Sequence, residues 1–412
     1  MRRTRGILIG IAVLAAVIAG DQLFTVARAL RTPPPGAPLQ GMPPRESIPG
    51  VLPASHAGIP WHKPVKTDGP RIQVAILLDT SGSMDGLINQ TRKQLWEIVN
   101  TLSQARQNGR APGVELALYA YGTAADEERG FMHQVAPFTD ELDGVSQELF
   151  ALTTTGSEEY CGQVIQTATR DLDWSSNPND LKLIFIAGNE PFTQGTVNPT
   201  NAIREAAAKG IVVNTIHCGP ERDGIAGGWR DAAQVANGRF MVINQDQAIA
   251  EIAAPQDAEL AALGQELNKT YVPYGEYGTA GAARQSAQDS NSWGISLSNF
   301  GRRAVAKSSV SYRNDNWDLV DAVQSNTVAL GTLPSGALPA ELQGKSADER
   351  EAWIKQKQAD RERVQGRIRM LEEQRTRFLA DAHRSNAGAT TLDQAMIAAV
   401  REQAARVHFA LK

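Results

Sequence analysis

The stretch Asp79-Thr80-Ser81-Gly82-Ser83 sets three oxygen-bearing side chains at alternate positions, directly after the apolar run Val74 to Leu78. Carboxylate and hydroxyl oxygens are hard donors, and together they suit a hard divalent cation. Mg²⁺ keeps several waters and takes few protein carboxylates. One Asp and two hydroxyls therefore leave a position for an oxygen from outside, such as a partner's carboxylate. Gly82 relieves the tight turn that brings the three together. Taken alone, the same string also reads as an ordinary helix N-cap with Ser83 as the capping residue.

Other chemistries lack their parts. The string is similar to the Asp-Thr-Gly of aspartic proteases, but an extra Ser intervenes and no second copy supplies the paired carboxylate. No second Asp stands two residues after Asp79, as phosphoryl-transferring aspartates of the haloacid dehalogenase type require. Gly-x-Ser-x-Gly, a Walker loop and His-Glu-x-x-His are missing. His217, single at a strand end, reads as structural or solvated. A hydrolase is thus a distant third reading. With a net charge of -4 and no cluster of unbalanced Lys and Arg, a general nucleic-acid surface is excluded.

The elements around the loop predict how it is held. Ile72 to Leu78 is a buried-strand run ending at Asp79, and Leu87, Ile88, Thr91, Leu95, Ile98, Val99 and Leu102 then recur at helical spacing before Asn108-Gly109. Further strands are expected at Val114 to Tyr121, Phe131 to Phe138, Leu181 to Ala187, Ile211 to His217 and Arg239 to Ile243. Helices are expected near Asp140 to Leu152, Glu159 to Leu172 and Asn201 to Lys209. Alternation with continuously apolar strands predicts an α/β fold, a mostly parallel six-stranded sheet with helices on both faces, over residues 71–254. In such a sheet the carboxyl ends of the strands form the ligand-binding edge, which is where Asp79, Ser81 and Ser83 would project.

The flanks read differently. Met1-Arg2-Arg3-Thr4-Arg5 followed by the apolar Gly6 to Gly20 is an export signal over residues 1–20, either cleaved after Ala19 or kept as a membrane anchor. The expected location is extracytoplasmic (periplasmic), anchored to the inner membrane or secreted. Residues 21–70 are a Pro-rich spacer. Residues 255–345 yield no firm element, though Tyr271 to Gly275 and Trp317 to Asp321 suggest buried aromatics docking this region on the core. Over 346–412 a long helix with Ile354, Val364, Ile368, Leu371 and Phe378 on a seven-residue pattern, interrupted by Lys357, Arg361 and Arg375, precedes a second helix at Leu392 to Val400. A C-terminal helical hairpin is the simplest expectation, and a coiled coil with another chain the alternative.

Asp-x-Ser-x-Ser after an apolar strand resembles the metal-ion-dependent adhesion site of the von Willebrand factor A (vWA) family. The resemblance covers the whole alternating region. It implies that Ser81 and Ser83 contact Mg²⁺ or Mn²⁺ directly, with Asp79 acting through water. The family's second loop corresponds to Thr153 to Tyr160, where Thr155, Ser157 and Glu158 are candidates; we favour Glu158, with Thr155 as the fallback. In the third loop Ala187 stands where the family has an Asp, which leaves the ion less neutralised and more demanding of a partner's acid. The resemblance thus implies a metal-dependent protein-binding or adhesion module and not an enzyme, its partner an unidentified protein with an exposed Asp or Glu. The alternative is a metal-free scaffold whose C-terminal helices do the binding. Cys161, at the start of the helix after the second loop, and Cys218, after the fifth strand, belong at the same edge, and export would let a disulfide between them persist.

Overall fold

The computed structural model describes residues 59–61, 64, 69–156, 158–244, 251–385 and 392–411. The expected export segment, nearly all of the spacer and Ser157 lie outside these. Among the described residues no helix is long and apolar enough to cross a membrane.

The α/β region opens with β1 (Arg71–Asp79) and α1 (Asp85–Gln104), then a two-residue strand β2 (Arg106–Gln107), β3 (Gly113–Tyr121) and β4 (Met132–Thr139). Next come α2 (Leu142–Ala151), α3 (Cys161–Asp171), β5 (Leu181–Gly188), α4 (Pro199–Ala208), β6 (Val212–Cys218), the short α5 (Glu221–Ala226) and α6 (Trp229–Val235), and β7 (Phe240–Ile243). The six-stranded sheet has the order β4-β3-β1-β5-β6-β7, parallel throughout except for β4. β1 lies at its centre, Ile72–Leu78 paired with Val114–Ala120 on one side and Leu181–Ala187 on the other. Covered on both faces, these strands alternate apolar residues to either side. Val74, Ile76, Leu78 and Phe185 face one core, and Ala75, Leu77, Ile184 and Ile186 face the other.

The first of those cores is closed from far along the chain. α12 (Leu392–Arg406) lays Leu392, Ala395, Met396, Ala399 and Val400 into it beside α1, and β8 (Phe409–Ala410) pairs with β2. This overturns the expected hairpin. α11 (Ala347–Ser385) buries Ile354, Val364 and Ile368 in separate clusters, against α7 (Asp257–Asn268), α9 (Leu297–Lys307) and α10 (Leu319–Gln324). The physical reason lies in the interruptions of its seam. Arg361 bonds Asp318 at 2.7 Å and Asp321 at 2.6 Å, Arg375 bonds Asp257 at 2.8 Å, and Lys357 donates to the Lys269 carbonyl at 3.0 Å, so the charged positions face polar partners from α7 to α10, not an apolar one. The seam is thereby filled from within the chain as far as Arg375.

Residues 255–345, without a firm element by periodicity, contain α7, α8 (Gly278–Ile295), α9 and α10. α8 has no apolar stripe because the side chains it buries are polar: Gln285, Gln288, Asp289 and Ser292. Gln288 accepts from Ser146 of α2 at 2.8 Å and Ser292 from Trp96 of α1 at 3.0 Å, so α8 docks on the sheet domain through hydrogen bonds, and α9 adds charge. Arg303 of α9, fully buried, bonds Asp143 of α2 at 2.6 Å and Asp289 at 2.5 Å, with its guanidinium 4.7 Å from the Trp96 ring centroid. Lys307 bonds the same Asp289 at 2.8 Å. Tyr271 and Trp317 stack 5.8 Å apart within the C-terminal region, and Tyr312 reaches across to Asp143 at 2.6 Å.

Burial pushes the Asp289 carboxyl up, but Lys307 and Arg303 more than offset this and hold it at about 2. A carboxyl whose folded value lies below its ordinary one stabilises the fold above that ordinary value, and this stability disappears as pH falls through the folded value. Stability should therefore fall between about pH 4 and pH 2, this group accounting for roughly 2 kcal/mol. Urea denaturation of wild type and Asp289→Asn across that window would check it, the variant having the shallower loss.

Candidate functional site

Asp79 is the last residue of β1 and is fully buried. The chain turns sharply after it. Thr80 N donates to Tyr121 O at 2.8 Å, tying the turn to the end of β3, and Ser81 N donates to Asp79 Oδ1 at 2.8 Å. The second loop is laced to the first: Thr155 N donates to Thr80 O at 2.8 Å and Gly82 N to Gly156 O at 3.2 Å. Ser81 is buried and Ser83 exposed, their hydroxyls 3.3 Å apart. The three loop residues thus share the carboxyl edge of the sheet, as their spacing predicts.

Two glycines make room there. A Cβ on Gly122 would lie 2.8 Å from Asp79 Oδ1 and 3.3 Å from Glu159 Cγ, and one on Gly188 would lie 3.0 Å from Asp79 Oδ2. Asp79 and Glu159 therefore crowd the same point from two loops. Glu159 is 3% exposed, whereas Glu158 and Thr155 are exposed. Thr155 Oγ1 sits 3.4 Å from Thr123 Oγ1. Of the second-loop acids, the structure thus turns Glu159 inward, the neighbour of the favoured Glu158. The first turn of α3 fixes this choice, because Glu159 O accepts from Cys161 N at 3.1 Å and Glu159 N donates to Gln194 Oε1 at 3.2 Å. Loop 152–160 has no periodicity to show it in advance. The run of two acids before Cys161 was the available signal.

The electrostatics are those of an acidic pair without a counter-charge. Burial raises Asp79 to about 7, Ser81 acting the other way and Glu190 adding to the rise. Glu159 is likewise raised to about 7, by burial and then by the charge of Asp79. Asp79 Oδ2, Glu159 Oε2 and, on the third loop, Asn189 Oδ1 are buried without a hydrogen-bond partner. Buried acceptors are normally satisfied, so oxygens left open on three loops of one sheet edge point to a ligand with positive charge. Among the described residues no group of three or more His, Cys, Asp or Glu is placed to hold a metal by itself. A cation here would rely on the Ser81 and Ser83 hydroxyls as well as the acids, which is the hard, oxygen-only donor set that Mg²⁺ or Mn²⁺ accepts.

No disulfide joins Cys161 and Cys218, contrary to expectation. Both are buried at this end of the sheet but on opposite faces. Cys161 lies with Leu77 and Ile186, its Sγ 3.9 Å from the Tyr121 hydroxyl, and Cys218 lies with Ile216 and Ile243. The sheet itself stands between them. His217 Nδ1 is buried without a partner, and burial lowers the ring's pKa.

Residues 73–252 match the family profile described as von Willebrand factor type A domain. This region is a vWA domain. Members of the family commonly mediate protein–protein interaction or adhesion. Among solved structures, BatB from Bacteroides thetaiotaomicron is 16% identical, the match covering 42% of this chain and 90% of that one with a TM-score of 0.33. The SpRpn10 VWA domain is 17% identical over 42% and 88%, with a TM-score of 0.33. Proximal thread matrix protein 1 from the mussel byssus, with a zinc-occupied MIDAS motif, is 12% identical over 43% of each chain, with a TM-score of 0.34. This chain thus spans under half of the mussel protein's length. Comparison with curated proteins finds no match. Within the vWA domain, Ala187 is buried in β5 and its carbonyl accepts from Tyr121 OH at 2.9 Å, so the third loop offers no acid at that position.

Proposed function

We propose that this chain is a metal-dependent protein-binding module of the cell envelope and not an enzyme. Its cation, Mg²⁺ or Mn²⁺, is held by Asp79, Ser81 and Ser83, with Glu159 as the acid of the second loop. The observation that carries this reading is the pair of buried, partnerless oxygens, Asp79 Oδ2 and Glu159 Oε2, on two acids that crowd Gly122 from separate loops. When bound, the cation supplies an electrophilic position for an oxygen of the partner. The chain's own residues do the rest. Thr80 and Thr155 lock the two loops together, and Gly122 and Gly188 leave the space that the acids flank. The envelope location is supported by the basic start and apolar run of residues 1–20.

The test is thermal. A ligand that binds only the folded state at about a hundred times its Kd adds about 2.7 kcal/mol of stability. For a domain of this size that corresponds to a rise in Tm of roughly 5–10 °C with Mg²⁺ or Mn²⁺ over EDTA. Asp79→Ala and Ser81→Ala should each lose the rise. A wild-type Tm that is indifferent to both ions and to EDTA would sink the metal claim.

A further inference from the structure

From the metal edge α1 runs back to the amino ends of the strands, where it finishes with Asn100, Ser103 and Gln104 before β2. A cavity of about 710 Å³ opens there, between the end of α1, the end of α9 and the face of α11 that carries Arg369, Glu372 and Thr376. That volume lies within the range of about 300–1,000 Å³ usual for small-molecule sites. Val305 and Val310 line it from the α9 side, and Val310 is left 63% exposed.

The lining residues hold buried oxygens without a hydrogen-bond partner: Asn100 Oδ1, Ser103 Oγ, Ser309 Oγ and Glu372 Oε2. Asn100 and Ser103 are each 4% exposed. The Asn100 amide nitrogen donates to the Arg302 carbonyl at 3.0 Å, which turns its oxygen away from that bond. Arg375 lies 3.8 Å from Glu372 Oε2 and is spent on Asp257 and Ser298. Burial pushes the Glu372 carboxyl up to about 7 against the pull of Arg375. Open acceptors gathered in this way ask for a ligand that donates several hydrogen bonds at once, as a primary ammonium does. The outer side has the opposite preference. Arg369 is exposed and makes no ion pair or hydrogen bond among the described residues, and it also lines an adjoining cavity of about 280 Å³. The other guanidiniums of the lining are engaged: Arg106 donates to the carbonyls of Ser103 and Ala105 at 3.0 and 2.7 Å, and Arg377 stands 4.0 Å from Glu373. Arg369 is thus the lining cation left for an anionic group.

We propose that this cavity binds a small zwitterion, an amino acid or short peptide with apolar side chains. Its ammonium is received by Asn100, Ser103 and Glu372, its carboxylate by Arg369 and its side chain by Val305 and Val310. The site is separate from the metal edge, and its outcome does not bear on the metal reading.

Calorimetric titration of the full chain with leucine, dileucine, N-acetyl-dileucine and dileucine amide tests this. Leucine or dileucine should bind saturably, and the tighter of the two tells free amino acid from peptide. N-acetylation removes the ammonium and should abolish binding. Amidation removes the carboxylate and should weaken dileucine binding about tenfold. Arg369→Ala should cost the unmodified ligand about tenfold, leave the amide as it binds to wild type, and keep the wild-type Tm because the side chain is exposed. The proposal is overturned by an absence of saturable binding up to about 10 mM. It is overturned equally by N-acetyl-dileucine binding as tightly as dileucine, or by Arg369→Ala binding the unmodified ligand as wild type does.

Discussion

Deletion of residues 392–412 is expected to unfold the vWA domain, although the deleted segment lies far outside the matched region in sequence. α12 and β8 bury Leu392, Met396, Val400 and Phe409 in the core on one sheet face, and fully burying such a side chain is worth about 1.5–3 kcal/mol. Four of them together amount to roughly 6–12 kcal/mol, comparable to the whole stability of a typical domain. The loss also opens a polar pair. Asn214, fully buried in β6, exchanges hydrogen bonds with Gln403, donating at 3.0 Å and accepting at 2.5 Å. Circular dichroism should show no cooperative thermal transition in the truncated chain. A truncated protein melting within a few degrees of the full chain would show that α12 is dispensable. A fragment ending at residue 254 lacks these buried side chains and is a poor reagent for mapping binding.

Replacement of Arg303 by Met is expected to cost about 3–5 kcal/mol, the penalty for leaving buried carboxylates without their cation. Asp143 would lose its 2.6 Å partner and Asp289 its 2.5 Å one, leaving Lys307 alone to compensate Asp289. Because Asp143 belongs to the sheet domain and Asp289 to the C-terminal helices, the damage falls on the junction between them. Burial is what makes the loss large, since Arg303 is fully buried and water cannot replace the missing guanidinium. Equilibrium urea denaturation measures it. A loss below about 1 kcal/mol would place this cluster among ordinary surface pairs.

Much of the fold was legible because its signals are local. Ile72 to Leu78, Leu181 to Ala187 and Ile211 to His217 are apolar runs that only a doubly covered strand explains, and Asp79, Ser81 and Ser83 follow the first of them at alternate positions. α8 was not legible, because the positions it buries are Gln, Asp and Ser, whose partners Arg303, Tyr312 and Ser146 come from other elements. Periodicity detects apolar faces and is blind to a helix that docks through hydrogen bonds.

What the sequence by itself determined is the sheet, its binding edge and the Asp79-to-Ser83 loop, since each depends on residues adjacent in the chain. Tertiary structure alone decided three further matters. It turned Glu159 and not Glu158 toward Asp79, because in an aperiodic loop only contacts with Gln194 and the start of α3 fix which side chain faces in. It put Cys161 and Cys218 on opposite sheet faces, because strand alternation and helix packing assign a side chain to a face independently of which end of the sheet it occupies. It sent α12 to the sheet instead of to α11, because an apolar stripe states that a helix will be buried but not against what, and the seam of α11 is already paired with Asp318, Asp321 and Asp257.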